Sequence, residues 1–478
     1  MSRHRPAAEG LEDASSAGPG PHDATPPDLA QSGTPLGRPY RALWLGTTVS
    51  SLGDGLALAG LPLLAATLTA SPLLVAGVLT IQSLPWLVLA FPAGVLADRW
   101  DRARVMMLAN LGQALTMAAV VGLVATHSAT IPWLYALAFF LGAFETVYLG
   151  AAQAIVPDLV GSPELERANG YLAATETAGA QLIGPAIGGF SFMAQRMIPF
   201  AGDCISFLAS AGILASLRGR RPSRVTEPLT LREDLARGLA FFRGSSLLRW
   251  LAAFTAGLVL TQAIVMGPLV LYVLHELHLH STGYGLLLSA AAIGNVAGSL
   301  VVNRIRMRFE ASSVLIGAGL VAALGYLVMA GTVLVASAVV GLMVEALAVA
   351  CGTVASVSLR QRHIPAELLG RVSNLFRSLI WGAVPLGALI GGLLATSLGL
   401  RAPFAVAGAA QVLMVVALAR PLHRVASRAK VPEVAVLAQL DVTSADHGNG
   451  NGKGTSAPRS NGHPQPATAG RTPVVREG

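Results

Sequence analysis

The chain has 478 residues, of which 53% are hydrophobic and 12% charged, and its formal net charge is +8. A soluble domain is typically about 25% charged, so these charges are too few to face water over a surface of this size, and the composition excludes a soluble enzyme in favour of a membrane protein. The basic excess lies in short loops between apolar stretches, where membrane topology explains it better than nucleic-acid binding does.

Residues 1–38 are rich in Pro, Gly, Ala and Ser, carry Glu9, Glu12 and Asp13, and lack the apolar centre of a signal peptide. They are expected to form a disordered cytoplasmic tail. Beyond them, apolar stretches of the roughly 20 residues that cross a bilayer recur. Spans are expected near 41–69, 74–97, 104–125, 132–156, 171–194, 198–217, 249–274, 283–303, 312–332, 337–358, 373–396 and 402–419, the ninth and tenth being divided near Gly331–Ala336. The fold class is therefore an all-α membrane protein with twelve transmembrane helices. Residues 39–217 form an N-terminal six-helix half and 249–420 a C-terminal one. The linker 218–248 contains LREDLARGLAFF, whose polar and apolar residues alternate at helical spacing and predict a helix along the membrane surface. Residues 421–478, with GNGNGKG at Gly448–Gly454, are expected to be a second disordered cytoplasmic tail.

Alternate loops differ sharply in charge. One set holds Arg99, Arg102, Arg104, Arg220, Arg306 and Arg362 among others, and the opposite set holds Arg196 and Arg401. The positive-inside rule puts both termini in the cytoplasm and supports an even number of spans, in a multi-pass protein of the cell (plasma) membrane. The halves also repeat each other. Gly94-Val95-Leu96 followed by Arg102 and Arg104 recurs at an offset of 204 as Gly298-Ser299-Leu300 followed by Arg306 and Arg308. Pro163-Glu164-Leu165, Arg167 and Gly188-Gly189 are echoed by Pro365-Ala366-Glu367-Leu368, Arg371 and Gly391-Gly392. Such repeats are usual in secondary transporters, with the substrate held between the halves.

The loop GVLADRWDRAR, Gly94 to Arg104, resembles the motif between the second and third helices of the major facilitator superfamily. Asp101 stands where a glycine is usual and Ala103 where a basic residue is common. The resemblance implies a gating loop of Gly94, Asp98, Arg99, Arg102 and Arg104 working with Asp158 at the end of span four. GPAIGG, with Gly184, Pro185, Gly188 and Gly189, resembles the glycine–proline motif of the superfamily's antiporters, although Ala180 occupies one of its upstream glycine positions. Proline removes a backbone hydrogen bond and glycine thins a helix, so this site can bend or seal against a neighbour. IVPDLVGSPELERANG (Ile155–Gly170) and QRHIPAELLGRVSN (Gln361–Asn374) are similar to the branch that holds the enterobactin exporter and macrolide efflux proteins.

Carboxylates inside the spans are few. An ionised residue at the bilayer centre costs about 2.5–3.5 kcal/mol, so such groups usually line a cavity or an ion path. Asp54, Glu145 and Glu345 lie centrally and are the candidates for proton coupling or contact with a cationic substrate, with Glu176 a further candidate. Asp203 and Glu176 lie nearer the span ends, where reaching water is easy. Gln82, Gln262 and Asn295 are polar at mid-depth. No phosphate-cradling Walker sequence is present, so no ATP drive and no cofactor are expected. Cys204 and Cys351 lie in spans and suggest neither a disulfide framework nor a metal site. His275, His278 and His280 read as a solvated outer turn. The expected function is proton-coupled export of a small hydrophobic or amphiphilic molecule by a monomer in contact with lipid. A metabolite importer on the same fold, or a receptor without transport, is the alternative. Reporter fusions after Arg220 and after Leu279 are expected to report cytoplasmic and external positions respectively, and the reverse result would overturn the helix assignment.

Overall fold

The computed structural model describes residues 36–217 and 239–428, without the side chains of 90–99, of Ser162 and of several residues between 366 and 374. The N-terminal half contains α1 (Arg38–Leu68), α2 (Pro72–Arg99), α3 (Arg102–Ala125), α4 (Ile131–Leu159), α5 (Leu165–Glu176), α6 (Gly184–Ala194) and α7 (Ile198–Ala215). The C-terminal half contains α8 (Ser246–Met266), α9 (Ser281–Arg308), α10 (Ala311–Gly331), α11 (Val335–His363), α12 (Ala366–Trp381), α13 (Ala383–Leu398) and α14 (Ala402–Arg428). Among the described residues, eleven segments are long and apolar enough to cross a membrane. The remaining crossing is made by α5 and α6, joined through a wide π-turn at Thr177–Ile183. Helices α12 and α13 likewise share one crossing, Leu375–Leu398, so the fourteen helices make twelve crossings, six in each half, of an all-α membrane protein.

The break in the fifth crossing follows from Pro185. A proline cannot donate to the carbonyl one turn back, and a π-turn re-registers the helix around the gap; the Gly184 N–H accordingly bonds to Gly179 O. The seventh crossing breaks for the same reason at Gly267-Pro268. Asp101, the departure from the superfamily loop, has a local role: its side chain accepts the Arg104 N–H at 3.1 Å and caps the start of α3.

The 204-residue repeat holds in three dimensions. Arg102 Nη1 donates to Ala154 O at 2.8 Å, and Arg306 Nη1 donates to Ser358 Oγ at 2.7 Å. The partners are separated by 52 residues in both halves. One expectation needs correction. The last helix does not end at 420 but continues to Arg428, so 421–428 is not part of a disordered tail. Leu422 and Ala426 are buried and Ser312 Oγ lies 3.2 Å from His423 Nδ1, which docks this last segment on α10. Residues 239–244 are helical; the rest of the expected surface helix, 231–238, and the expected tails 1–35 and 429–478 lie outside the described residues.

The apolar core differs between the two ends of the bundle. At the end remote from the chain termini, one continuous cluster crosses both halves, running from Leu61, Val75 and Phe200 to Tyr272, Tyr284, Tyr326 and Phe404. At the terminal end the described clusters stay within one half each. One, around Tyr40, Met106 and Leu214, belongs to the first half, and one, around Leu248, Ile364 and Val372, to the second. Close backbone approach sets the helix spacing within each half. Gly294 of α9 is pressed on Met343 O of α11, where any Cβ would overlap it, whereas Gly317 of α10 faces open space. Gly294→Ala is expected to destabilise the protein by about 1–3 kcal/mol, while Gly317→Ala leaves stability unchanged or slightly raised. Thermal unfolding in detergent checks both; equal midpoints for the two variants would contradict the close packing.

Candidate transport site

Three carboxyls of the first half converge. Asp54 on α1 and Glu176 at the end of α5 are exposed, and Glu145 on α4 is half-buried. Asp54 lies within electrostatic reach of Glu145 and Glu176, and Glu145 within reach of Glu176. Two exposed side chains and a half-buried one, from three helices and within electrostatic reach of one another, point to a shared interior space rather than scattered lipid. Tyr148, one helical turn beyond Glu145, belongs to the same wall: its hydroxyl lies 3.4 Å from Thr47 Oγ1. Trp44 Nε1 donates to Thr175 Oγ1 at 2.8 Å, next to Glu176.

Glu345 is not brought to this cluster. It is 1% exposed on α11, accepts the Tyr326 hydroxyl of α10 at 2.8 Å, and lies 3.4 Å from the Gln262 amide of α8. It therefore sits in a closed, hydrogen-bonded pocket of the second half. Asp203 also departs from expectation. It is 0% exposed, pressed between α7 and α1, and does not reach water from its span end. The reason is Gly53, whose missing side chain leaves the space that Asp203 and Ser206 fill. Sequence reasoning missed Tyr148 and Tyr326. Each is a tyrosine inside an apolar span, and Tyr148 lies three residues from a carboxylate, which is the available signal.

In the loop motif, Arg102 Nη1 pairs with Asp158 at 2.5 Å, tying the start of α3 to the end of α4. Arg104 is exposed, and the side chains of Gly94, Asp98 and Arg99, like that of Arg371, fall outside those described.

The glycine–proline motif lies between two helices. Gly184 and Gly188, one turn apart, abut the α1 backbone at Gly55 and Leu56. Pro185 and Gly189, on the adjoining face, abut Gly285 and Ser281 of α9 in the other half. The second half repeats the device as Gly387-Ala388-Leu389-Ile390-Gly391-Gly392: Gly387 and Gly391 abut Leu260 and Ile264 of α8, and Gly392 abuts Pro72 and Leu73 of α2. Ser289 Oγ donates to Leu182 O at 2.5 Å and Leu73 N to Thr396 Oγ1 at 3.2 Å, and Trp86 stacks on Trp381 with ring centroids 5.2 Å apart. These contacts between the halves occupy the middle of the bundle and the end remote from the termini.

The sequence profile of the transmembrane secretion effectors, a family of major facilitator transporters, matches residues 32–446. The chain belongs to this family. The uncharacterised MFS-type transporter YfiS of Bacillus subtilis is 28% identical to the transporter over 382 residues, 76% of this chain and 88% of the relative. The multidrug efflux pump Tap of Mycolicibacterium fortuitum is 28% identical over 388 residues, 77% of this chain and 91% of that pump. In fold, the transporter is similar to a bacterial homologue of the iron transporter ferroportin in an inward-facing state (TM-score 0.67, 18% identity, 81% of this chain and 100% of that one). It is also similar to a bacterial homologue of the lysosomal transporter Spinster (TM-score 0.62, 18% identity, 82% and 98%).

Met193 and Thr282 touch across the seam, with Oγ1 3.5 Å from Sδ. In a background without Cys204 and Cys351, the pair Met193→Cys and Thr282→Cys is expected to cross-link under mild oxidation and to stop transport until reduced. Cross-linking with full retention of transport would show that this end need not open.

Proposed function

We propose that the transporter exports a small hydrophobic or amphiphilic molecule, such as a drug, siderophore or secondary metabolite, in exchange for protons. It does so as a monomer in the cell membrane with both termini in the cytoplasm. The observation that carries the reading is the convergence of Asp54, Glu145 and Glu176 on one interior space. Carboxyls in that position can hold a proton or meet a cationic substrate, and competition between the two gives exchange without ATP. The similarity to a multidrug efflux pump supports export. The loop motif fits the same cycle. Asp98, Arg99, Arg102 and Arg104, with Asp158 already paired to Arg102, latch the cytoplasmic end when the halves rock. Gly184, Pro185, Gly188 and Gly189 seal the external end when it closes. Glu345, held by Tyr326 and Gln262, is the corresponding proton-holding group of the second half.

Reconstitution in proteoliposomes tests the coupling. At least one of Asp54→Asn, Glu145→Gln, Glu176→Gln and Glu345→Gln is expected to lower export driven by a pH gradient by about tenfold or more, a loss of at least 1.4 kcal/mol, while downhill substrate exchange persists. Full gradient-driven export in all four variants would remove the proton mechanism.

A further inference from the structure

The second half holds two cations that the proton coupling does not use. Arg360, three residues before the end of α11, and Arg377, on α12, are both half-buried and lie within electrostatic reach of each other. Among the described side chains neither has a carboxylate partner, whereas Arg102 is paired with Asp158 and Arg401 with Glu276. Arg377 stands about 16 Å along α12 from Ala366, near mid-membrane, where a charged side chain does not face lipid. One turn further along the same face of α12 is Trp381, which stacks on Trp86 of the first half. Arg377 therefore lies against the space between the halves, on the terminal side of that stack.

The direction of Arg360 is the decisive feature. Helix α11 ends at His363 and α12 starts at Ala366, so Arg360 stands about 4–5 Å from this end of the pair and Phe376 about 15 Å from it. An unconstrained arginine so close to a helix end carries its head outwards to water. Arg360 does the reverse: its guanidinium carbon lies 4.1 Å from the centre of the Phe376 ring, on the side of Arg377. The ring face attracts one guanidinium, but it does nothing for the repulsion between two. Water can satisfy their N–H groups without balancing their charge. What the pair lacks is an anion, and the planar N–H forks of two arginines match the oxygens of a carboxylate, phosphate or sulfate.

We propose that Arg360 and Arg377 bind an acidic group of the exported molecule, whose apolar body lies towards the Trp86–Trp381 stack, so that the substrate is an acidic amphiphile. A basic group on the same molecule can still meet the carboxyls of the first half, which leaves the interior with opposite charge on its two sides. The substrate class rests on the export reading above, whereas the anion site does not.

Calorimetric titration of the purified full-length transporter, in non-ionic detergent at constant ionic strength, compares naphthalene-1-acetate with the matched cation 1-naphthylmethylammonium. The acid is expected to bind saturably. Its affinity should fall about tenfold or more in Arg360→Gln and in Arg377→Gln, and hold in Arg424→Gln, which removes an exposed arginine at the end of α14. Binding of the cation should be indifferent to all three. Without ligand, Arg377→Gln is expected to unfold at a temperature no lower than the wild type, because it relieves a repulsion. If one variant does not accumulate, the other decides. No saturable binding of the acid, or binding indifferent to both arginines, overturns the proposal. So does a lowered unfolding midpoint in both variants, as for arginines whose counter-charge lies in the chain itself. Stabilisation by phosphatidylglycerol over phosphatidylcholine that is lost in Arg377→Gln, without binding of the acid, would assign the pair to a lipid headgroup and overturn it too. Acid binding that needs both arginines, in a transporter that exports nothing, would keep the anion site and remove the export reading. Gradient-driven export with acid binding indifferent to both would do the opposite.

Discussion

Backbone-to-backbone contact at the duplicated glycine helices is the constraint on which the remaining geometry depends. At Gly184, an added Cβ would stand 2.5 Å from the Gly55 Cα, and at Gly189 2.5 Å from Ser281 O. In a bilayer no hydrophobic drive holds helices together, so small residues that let backbones meet supply the association. Each half offers one helix with glycines on two adjoining faces. One face grips a helix of its own half and the other a helix of the opposite half. The result is a pair of pseudo-symmetric seams, α6 with α9 and α13 with α2, that join the halves at the end remote from the termini. The apolar core is continuous across the halves only there, among the described clusters.

With that end joined, the two halves treat their polar groups differently. The first half turns Asp54, Glu145 and Glu176 towards a common interior space. The second encloses Glu345 with a tyrosine hydroxyl and an amide. Charge in low dielectric is expensive unless it is solvated, paired or neutralised. Asp54 and Glu176 meet that requirement by exposure and Glu345 by hydrogen bonding. The loop arginines repeat the asymmetry: Arg102 meets the carboxylate of Asp158, whereas its repeat Arg306 meets the hydroxyl of Ser358.

Much of this architecture was legible in the sequence because membrane crossing imposes long apolar runs and a one-sided distribution of arginine. The 204-residue repeat was legible because duplicated helices keep the glycines that packing requires. What could not be read was which way a side chain turns. Glu145 and Glu345 occupy corresponding spans yet meet different surroundings, because Tyr326 and Gln262 come from helices that only the folded second half assembles. Asp203 appeared to be near water by its position in the chain, but Gly53, 150 residues earlier in sequence, admits it to a closed seam. Helix α14 runs past the expected boundary at 420 to Arg428, with Pro421 inside the helix, because burial of Leu422 and Ala426 extends its packed face.

The carboxyl cluster of the first half lies between halves whose apolar core is continuous, among the described clusters, only at the end remote from the termini. The direct measurement is labelling of a single cysteine at position 176, in a background lacking Cys204 and Cys351, with a membrane-impermeant thiol reagent applied to one side of oriented vesicles at a time. In the absence of substrate and gradient, Glu176→Cys is predicted to react from the side that carries the termini and to be protected from the other. Reaction from the opposite side, or from neither, would contradict it.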